Sequence, residues 1–139
     1  MQGRAFLDLA QEIIRGGTEA HFRGASGRAY YALLLECKDA LERWGFPMPP
    51  HETAHRFVRL RFVFAADAHL KSIGVTLDRL SQLRNLADYD LVSRSHFATP
   101  RRTQVAIQDA LDALRLLDAI DTDASRRLVA ANAIKKAFP

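Results

Sequence analysis

The sequence has a single cysteine, Cys37, in 139 residues. An internal disulfide is therefore excluded, and the apolar neighbours of Cys37 predict a buried side chain rather than a reactive thiol. The chain also lacks an uninterrupted run of about 20 apolar residues, the length that a membrane-spanning helix requires. Charged residues interrupt the first 17 residues, which therefore do not resemble a signal peptide. We predict a cytoplasmic protein with no membrane association.

Strands are also not indicated, because no stretch shows the strict alternation of apolar and polar residues that is typical of them. Internal repeats and low-complexity tracts are absent from the sequence as well. With 48% hydrophobic and 26% charged residues, the composition is that of a folded protein, and the length suits one core. We therefore expect a single all-α domain over residues 1–139.

Apolar residues recur at helical spacing along almost the whole chain. This spacing, together with the Pro and Gly residues that end helices, predicts helices over residues 5–15, 18 to 43 or 44, 51–64, 75–92, 100–120 and 125–137. Thr99 is the expected cap of the fifth helix. The expected architecture is an up-and-down bundle of four to five helices with a short C-terminal helix. Within the second helix, small residues predict a close crossing with another helix, namely Gly24, Ala25, Gly27 and Ala29.

Arginine supplies most of the positive charge of the chain. Basic residues number 20 against 16 acidic ones, and 16 of the basic residues are arginine. A pI near 9.6 permits attraction to phosphates, for which the arginine side chain is well suited. Genome base composition also explains an Arg- and Ala-rich sequence, so charge alone does not identify a nucleic-acid partner.

Residues 83–90 are the most informative segment, an arginine-led polar cluster within an apolar helical pattern. With about 3.6 residues per turn, the side chains that share one stripe of this helix are Arg84, Asn85, Asp88 and Tyr89. Burying such a stripe is costly unless its members pair with one another or with a ligand. The structural alternative to a ligand site is an intrahelical ion pair between Arg84 and Asp88, worth about 0.3–0.5 kcal/mol.

Residues 28–31 (Arg-Ala-Tyr-Tyr) and 83–90 (Leu-Arg-Asn-Leu-Ala-Asp-Tyr-Asp) together resemble the HEPN superfamily, in particular its small bacterial and archaeal single-domain branch. The resemblance extends over about residues 19–117 and includes the order of the helices. It implies a helical bundle that forms a homodimer around a shared cleft and binds RNA or a nucleotide. Many members of the family cleave RNA without a metal, and some are the toxin-like half of a toxin-antitoxin pair whose partner is a small nucleotidyltransferase.

The resemblance also implies which residues form the site. Arg84 and Asn85 match the first two positions of the family's catalytic motif, and Tyr89 stands where that motif has a histidine. Tyrosine has a pKa of about 10 and is a poor base near neutral pH, so whether the chain is an endoribonuclease stays open, and binding is the firmer expectation. The candidate ligand-binding residues are Arg28, Tyr31, Asp88, His51 and Arg94.

Some of these expectations depend on less specific features. His51 resembles the histidine that precedes the third helix in this branch of the family. Arg94 is followed by further basic side chains that could contact phosphate beside Arg84, namely His96, Arg101 and Arg102.

Two other functions stay open. A non-catalytic interaction module would use the cluster to hold a dimer or to dock a nucleotidyltransferase. Residues 51–55, His-Glu-Thr-Ala-His, match the HExxH pattern of zinc hydrolases. However, Pro49 and Pro50 place the pattern in the first turn of its helix, and neither Asp67 nor His69 has a diagnostic spacing for a third ligand. We therefore predict no bound metal and no cofactor.

Overall fold

The computed structural model describes residues 1–92 and 94–139, with the side chains of His51 and Glu52 outside the described part. Over these residues the chain is all-α, as predicted, and its helices are α1 (Ala5–Ile13), α2 (Glu19–Arg43), α3 (His51–Phe64), α4 (Ala68–Tyr89), α5 (Arg101–Asp121) and α6 (Ala124–Ala137). Short 3-10 turns follow α1 at Ile14–Gly16 and precede α5 at Arg94–His96. None of the described helices is both long and apolar enough to cross a lipid bilayer.

The central helix of the bundle is α2, on which α1, α4 and α5 pack and which α3 also touches. Thr18 begins it by accepting a 3.4 Å hydrogen bond from the His21 amide, and Gly45, with φ of 95°, follows its end. The fully buried side chains of this helix include Tyr30, Leu33 and Leu41. Because α2 contacts both α3 and α4, its side chains can meet those of both helices.

The start of α4 corrects one prediction, since the helix begins at Ala68 rather than at residue 75. The Asp67 carboxylate caps it by accepting hydrogen bonds of 3.0 and 3.1 Å from two amides of the first turn. Gly74 lies inside the helix and serves packing: a Cβ at this position would lie 2.8 Å from the backbone nitrogen of Val63. The predicted start is wrong because this glycine permits a close approach of α3 instead of ending the pattern.

The other end of α4 and the start of α5 also differ from the prediction. Helix α4 ends at Tyr89 and not at residue 92. Pro100 is the N-cap of α5 and makes no side-chain cap hydrogen bond, so Thr99 is not the cap that we expected.

Arg23 of α2 holds the C-terminal end of α4. Its Nη1 donates hydrogen bonds of 2.9 to 3.1 Å to three backbone carbonyl oxygens, those of Leu86, Ala87 and Asp90. Its guanidinium carbon also lies 4.6 Å from the centre of the buried Phe97 ring. The last carbonyls of a helix have no partner within the helix, so Arg23 supplies one and fixes where the polar stripe of α4 ends.

Candidate functional site

Tyr31 of α2 and Arg84 of α4 meet where the two helices cross. Arg84 Nη2 donates a 2.8 Å hydrogen bond to the Tyr31 hydroxyl oxygen, and the guanidinium carbon lies 5.3 Å from the centre of the Tyr31 ring. A Cβ at Gly27 would lie 3.9 Å from Arg84 Cγ, at ordinary contact distance, so the contact does not require a glycine there. Arg84 meets α2 in the region where we predicted a close crossing.

The polar stripe predicted on α4 surrounds Arg84. The Arg84 Nε lies 2.9 Å from Asp88 Oδ2, and its Nη1 donates a 3.3 Å hydrogen bond to Asn85 Oδ1. The Tyr89 ring, 74% exposed, has its centre 5.5 Å from the guanidinium carbon. The intrahelical ion pair is therefore formed, and it coexists with the contacts that Arg84 makes with α2.

Arg84 has more N–H donors than its partners among the described residues use. Its Nε lies 2.9 Å from Asp88 Oδ2, at ion-pair distance. A guanidinium has five N–H donors, and the two Nη groups of Arg84 make two side-chain hydrogen bonds in this part of the chain. Arg84 therefore has the capacity to bind a further acceptor through its remaining Nη–H groups.

His55 of α3 belongs to this cluster as well. Its Nδ1 lies 3.1 Å from the Tyr30 hydroxyl oxygen, and its ring centre lies 5.9 Å from that of Tyr31 in an edge-on arrangement. Burial lowers the pKa of His55, and the positive charges of Arg84 and Arg59 lower it further. The imidazole is therefore neutral at pH 7, in which form it can accept a proton.

His55 is not among the site residues predicted from the sequence, although the sequence contains a signal for its position. His55 follows Ala54 and is followed three residues later by Val58, and both of these are buried. A histidine at the edge of the apolar face of α3 must lie close to the helix on which that face packs. His51 was the predicted histidine, but its side chain lies outside the described part of the structure.

Two further arginines flank the cluster. The Arg28 guanidinium carbon lies 5.8 Å from the centre of the Tyr31 ring, so these two predicted site residues are neighbours in the structure. Arg59 Nη1 lies 3.5 Å from Asp78 Oδ1 and 3.5 Å from Ser81 Oγ. Positive charge therefore reaches the cluster from α2 and α3 as well as from α4.

The structure thus brings together most of the predicted site residues, which are Arg28, Tyr31, Arg84, Asn85, Asp88 and Tyr89. Arg94 lies in the 3-10 turn after α4, and no described contact joins its side chain to Arg84. The basic residues that follow it do not extend the cluster either, because His96, Arg101 and Arg102 line a separate groove.

No protein-family model, curated protein or solved structure matches the chain. Among the described side chains, no three His, Cys, Asp or Glu residues lie close enough to hold a metal ion, and two members of the HExxH pattern, His51 and Glu52, lie outside that part. The geometry around Arg84 is therefore the feature of the molecule that indicates a function.

Proposed function

We propose that the protein binds RNA or a nucleotide, with a phosphate group held by Arg84. The observation that carries this proposal is the guanidinium of Arg84, which lies between Tyr31 and Tyr89 and has more N–H donors than its two hydrogen bonds and its ion pair with Asp88 use. A phosphate oxygen supplies both the acceptor and a negative charge, and guanidinium–phosphate contacts are among the stronger hydrogen bonds in proteins. The exposed Asn85 amide lies next to Arg84 and can donate to a second phosphate oxygen.

The charge around Tyr31 supports the same ligand. Arg84 faces one carboxylate, Asp88, and Arg59 faces another, Asp78. Arg28 has no carboxylate within ion-pair distance among the described residues, and His55 is neutral. The cluster therefore carries a net positive charge, which attracts an anion.

Tyr89 favours a nucleotide over inorganic phosphate. Its ring is 74% exposed and lies beside the Arg84 guanidinium. Exposed aromatic rings next to cationic side chains are the surfaces on which unpaired bases stack, at about 1–3 kcal/mol per base. The residue in the position of the motif histidine can thus serve binding even though it is a poor base.

The neutral His55 favours RNA cleavage as a second candidate function. In this reaction His55 takes the proton of a ribose 2′-hydroxyl, whose oxygen attacks the adjacent phosphorus atom. The bond from phosphorus to the 5′ oxygen breaks, that oxygen takes a proton from water, and the hydroxide so formed takes back the proton that His55 holds. The products are a 2′,3′-cyclic phosphate and a 5′-hydroxyl. Arg84 stabilises the negative charge that develops on the phosphate oxygens.

The proposed assembly is a homodimer that joins through the end of α4. Two large apolar side chains are exposed there, namely Leu91 at 70% and Val92 at 90%. A second copy of the chain would remove these two side chains from water and leave the Tyr89 ring accessible to a base. In the alternative of an interaction module, a nucleotidyltransferase docks on the same surface, and both that partner and a toxin-like role depend on the HEPN resemblance alone.

Fluorescence anisotropy with a labelled single-stranded RNA at low salt tests the binding. We expect Arg84→Ala to weaken binding at least tenfold, and Arg56→Ala, which removes an exposed arginine of α3, to change it less than twofold. The matched loss of one charge separates a specific contact from general attraction. Equal affinities of the Arg84→Ala variant and the wild-type protein would exclude Arg84 as the phosphate ligand.

Cleavage is tested separately, by incubating labelled RNA with the protein in the presence of a chelator. We expect His55→Gln to keep the RNA affinity but to abolish formation of the cyclic phosphate. Cleavage that persists in this variant excludes His55 as the base, and wild-type protein that binds without cleaving leaves a binding function only.

A further inference from the structure

A groove lies between α4 and α5, on the side of α4 away from Arg84. It has a volume of about 630 Å³, and the residues that line it include Leu83, Leu86, His96, Arg101, Arg102 and Val105. Because successive helical residues are about 100° apart, Leu86 points about 160° away from Arg84 on α4. The α4–α5 groove and the Arg84 cluster are therefore separated by the body of the helix.

The side chains of two arginines and a histidine at the rim of the α4–α5 groove make no hydrogen bond or ion pair with another described residue. Arg101 and Arg102 are exposed, and no carboxylate lies within ion-pair distance of either in the part of the chain that the structure describes. His96 Nδ1 is buried and has no hydrogen-bond partner there. By contrast, Arg79, which also lines the groove, is neutralised by Asp109 at 3.3 Å. The rim thus has two positive charges without a described carboxylate partner, and the His96 ring lies beside them in the lining.

The floor of the α4–α5 groove is apolar. Val105 lies one helical turn after Arg101 and is 51% exposed, and the half-buried Leu83 and Leu86 lie opposite on α4. An anion without an apolar part would leave this floor in water, and an apolar molecule without a charge would leave the arginines unpaired. An occupant that satisfies both surfaces has an anionic end and an apolar body.

The size of the groove favours a small molecule over a docking helix. Small-molecule sites have volumes of about 300–1,000 Å³, and the α4–α5 groove lies in this range at about 630 Å³. Its α5 wall extends from Arg101 to Asp109, a length of about 12 Å at about 1.5 Å per residue. A wall of this length gives a docking helix about two turns of contact, whereas it matches the length of a small ligand.

We propose that the α4–α5 groove binds an amphiphilic organic phosphate, in which the phosphate is joined to an apolar ring system. The phosphate lies against Arg101 and Arg102, and the His96 ring, which lines the groove, donates to another of its oxygens. A phosphate fits better than a carboxylate because it offers three terminal oxygens to these three side chains. The ring system covers Val105 and Leu83. This site does not depend on the function proposed for Arg84.

An NMR titration with 1-naphthyl phosphate tests the proposal. The controls are 1-naphthol and inorganic phosphate, which correspond to the two halves of this ligand. We expect 1-naphthyl phosphate to shift the amide signals of residues 83, 86, 101 and 105 and the ring signals of His96. Either half should bind at least tenfold more weakly. If inorganic phosphate binds as tightly as 1-naphthyl phosphate, the interaction is a general attraction to arginine and the proposal is overturned. If adenosine monophosphate binds more tightly than 1-naphthyl phosphate, the inference that the ligand has an apolar ring system is overturned.

Variants locate the site. We expect the double variant Arg101→Gln, Arg102→Gln to bind 1-naphthyl phosphate at least tenfold more weakly, and Val105→Glu, at an exposed position, to do the same while remaining folded. The control Arg56→Gln, Arg115→Gln removes the same charge at exposed positions outside the groove and should keep the affinity. Undiminished binding by the first double variant overturns the proposal. Loss of binding in Arg84→Ala would instead assign the ligand to the Arg84 cluster.

Discussion

Arg84 donates a 2.8 Å hydrogen bond to the hydroxyl of Tyr31 across the crossing of α2 and α4. The Tyr31 ring in turn lies 5.9 Å from the ring of His55 on α3. A tyrosine on the central helix thus links the arginine with the imidazole. The position of Arg84 therefore depends on α2 and not only on the ion pair within its own helix.

Tyr31→Phe should loosen Arg84 while keeping the ring contacts. The substitution removes the acceptor of one charged hydrogen bond, and we expect the free energy of unfolding to fall by about 1–2 kcal/mol. RNA affinity should fall less than in Arg84→Ala, because the guanidinium is retained. Urea unfolding and anisotropy measure the two effects. An RNA affinity lower than that of Arg84→Ala would mean that Tyr31 contacts the ligand itself.

The pKa of His55 predicts how stability changes with pH. Burial, Arg84 and Arg59 lower this pKa in the folded state from its usual 6.5. At pH values between the pKa of His55 in the folded chain and that in the unfolded chain, the unfolded chain binds more protons. The free energy of unfolding therefore decreases as the pH falls from 6.5 through the pKa of the folded state. The contribution of His55 to this free energy is complete above pH 6.5. His55→Gln removes this titration, and urea unfolding at pH 7.5, 6.5 and 5.5 should give a shallower dependence than in the wild-type protein. An unchanged dependence would show that other groups cause it.

The sequence predicted the all-α class because helical apolar spacing is strong and continuous, and it placed α3 correctly. It was less accurate at the start of α4, where Gly74 permits an approach of Val63 that only the packed structure reveals. The members of the polar stripe were predictable because they share one helix and lie at fixed angles. His55 was missed, since the spacing along α3 places it only at the edge of the apolar face, and its contact with Tyr31 depends on how α3 packs against α2.

Arg23→Met should destabilise the fold more than an ordinary arginine substitution. Arg23 is 8% exposed and donates to three backbone carbonyl oxygens at the end of α4. Without these bonds the carbonyls lose their charged partner, and we expect a loss of about 2–4 kcal/mol. The control Arg15→Met, at an exposed position, should change the free energy of unfolding by less than about 0.5 kcal/mol. Amide hydrogen exchange at residues 86–90 should become faster in the Arg23 variant only.

Two glycines inside helices should respond to alanine in opposite directions. At Gly74 the new Cβ would lie 2.8 Å from the backbone nitrogen of Val63, which cannot move without shifting α3, and we expect a loss of about 1–3 kcal/mol. At Gly24 it would lie 3.7 Å from a methyl group of Ile13, an ordinary contact. Gly24→Ala should therefore stabilise the protein by about 0.5–1 kcal/mol, because alanine loses less conformational freedom in a helix. Urea unfolding of both variants measures the difference, and a Gly74→Ala variant as stable as Gly24→Ala would show that α3 and α4 can separate at this point without cost.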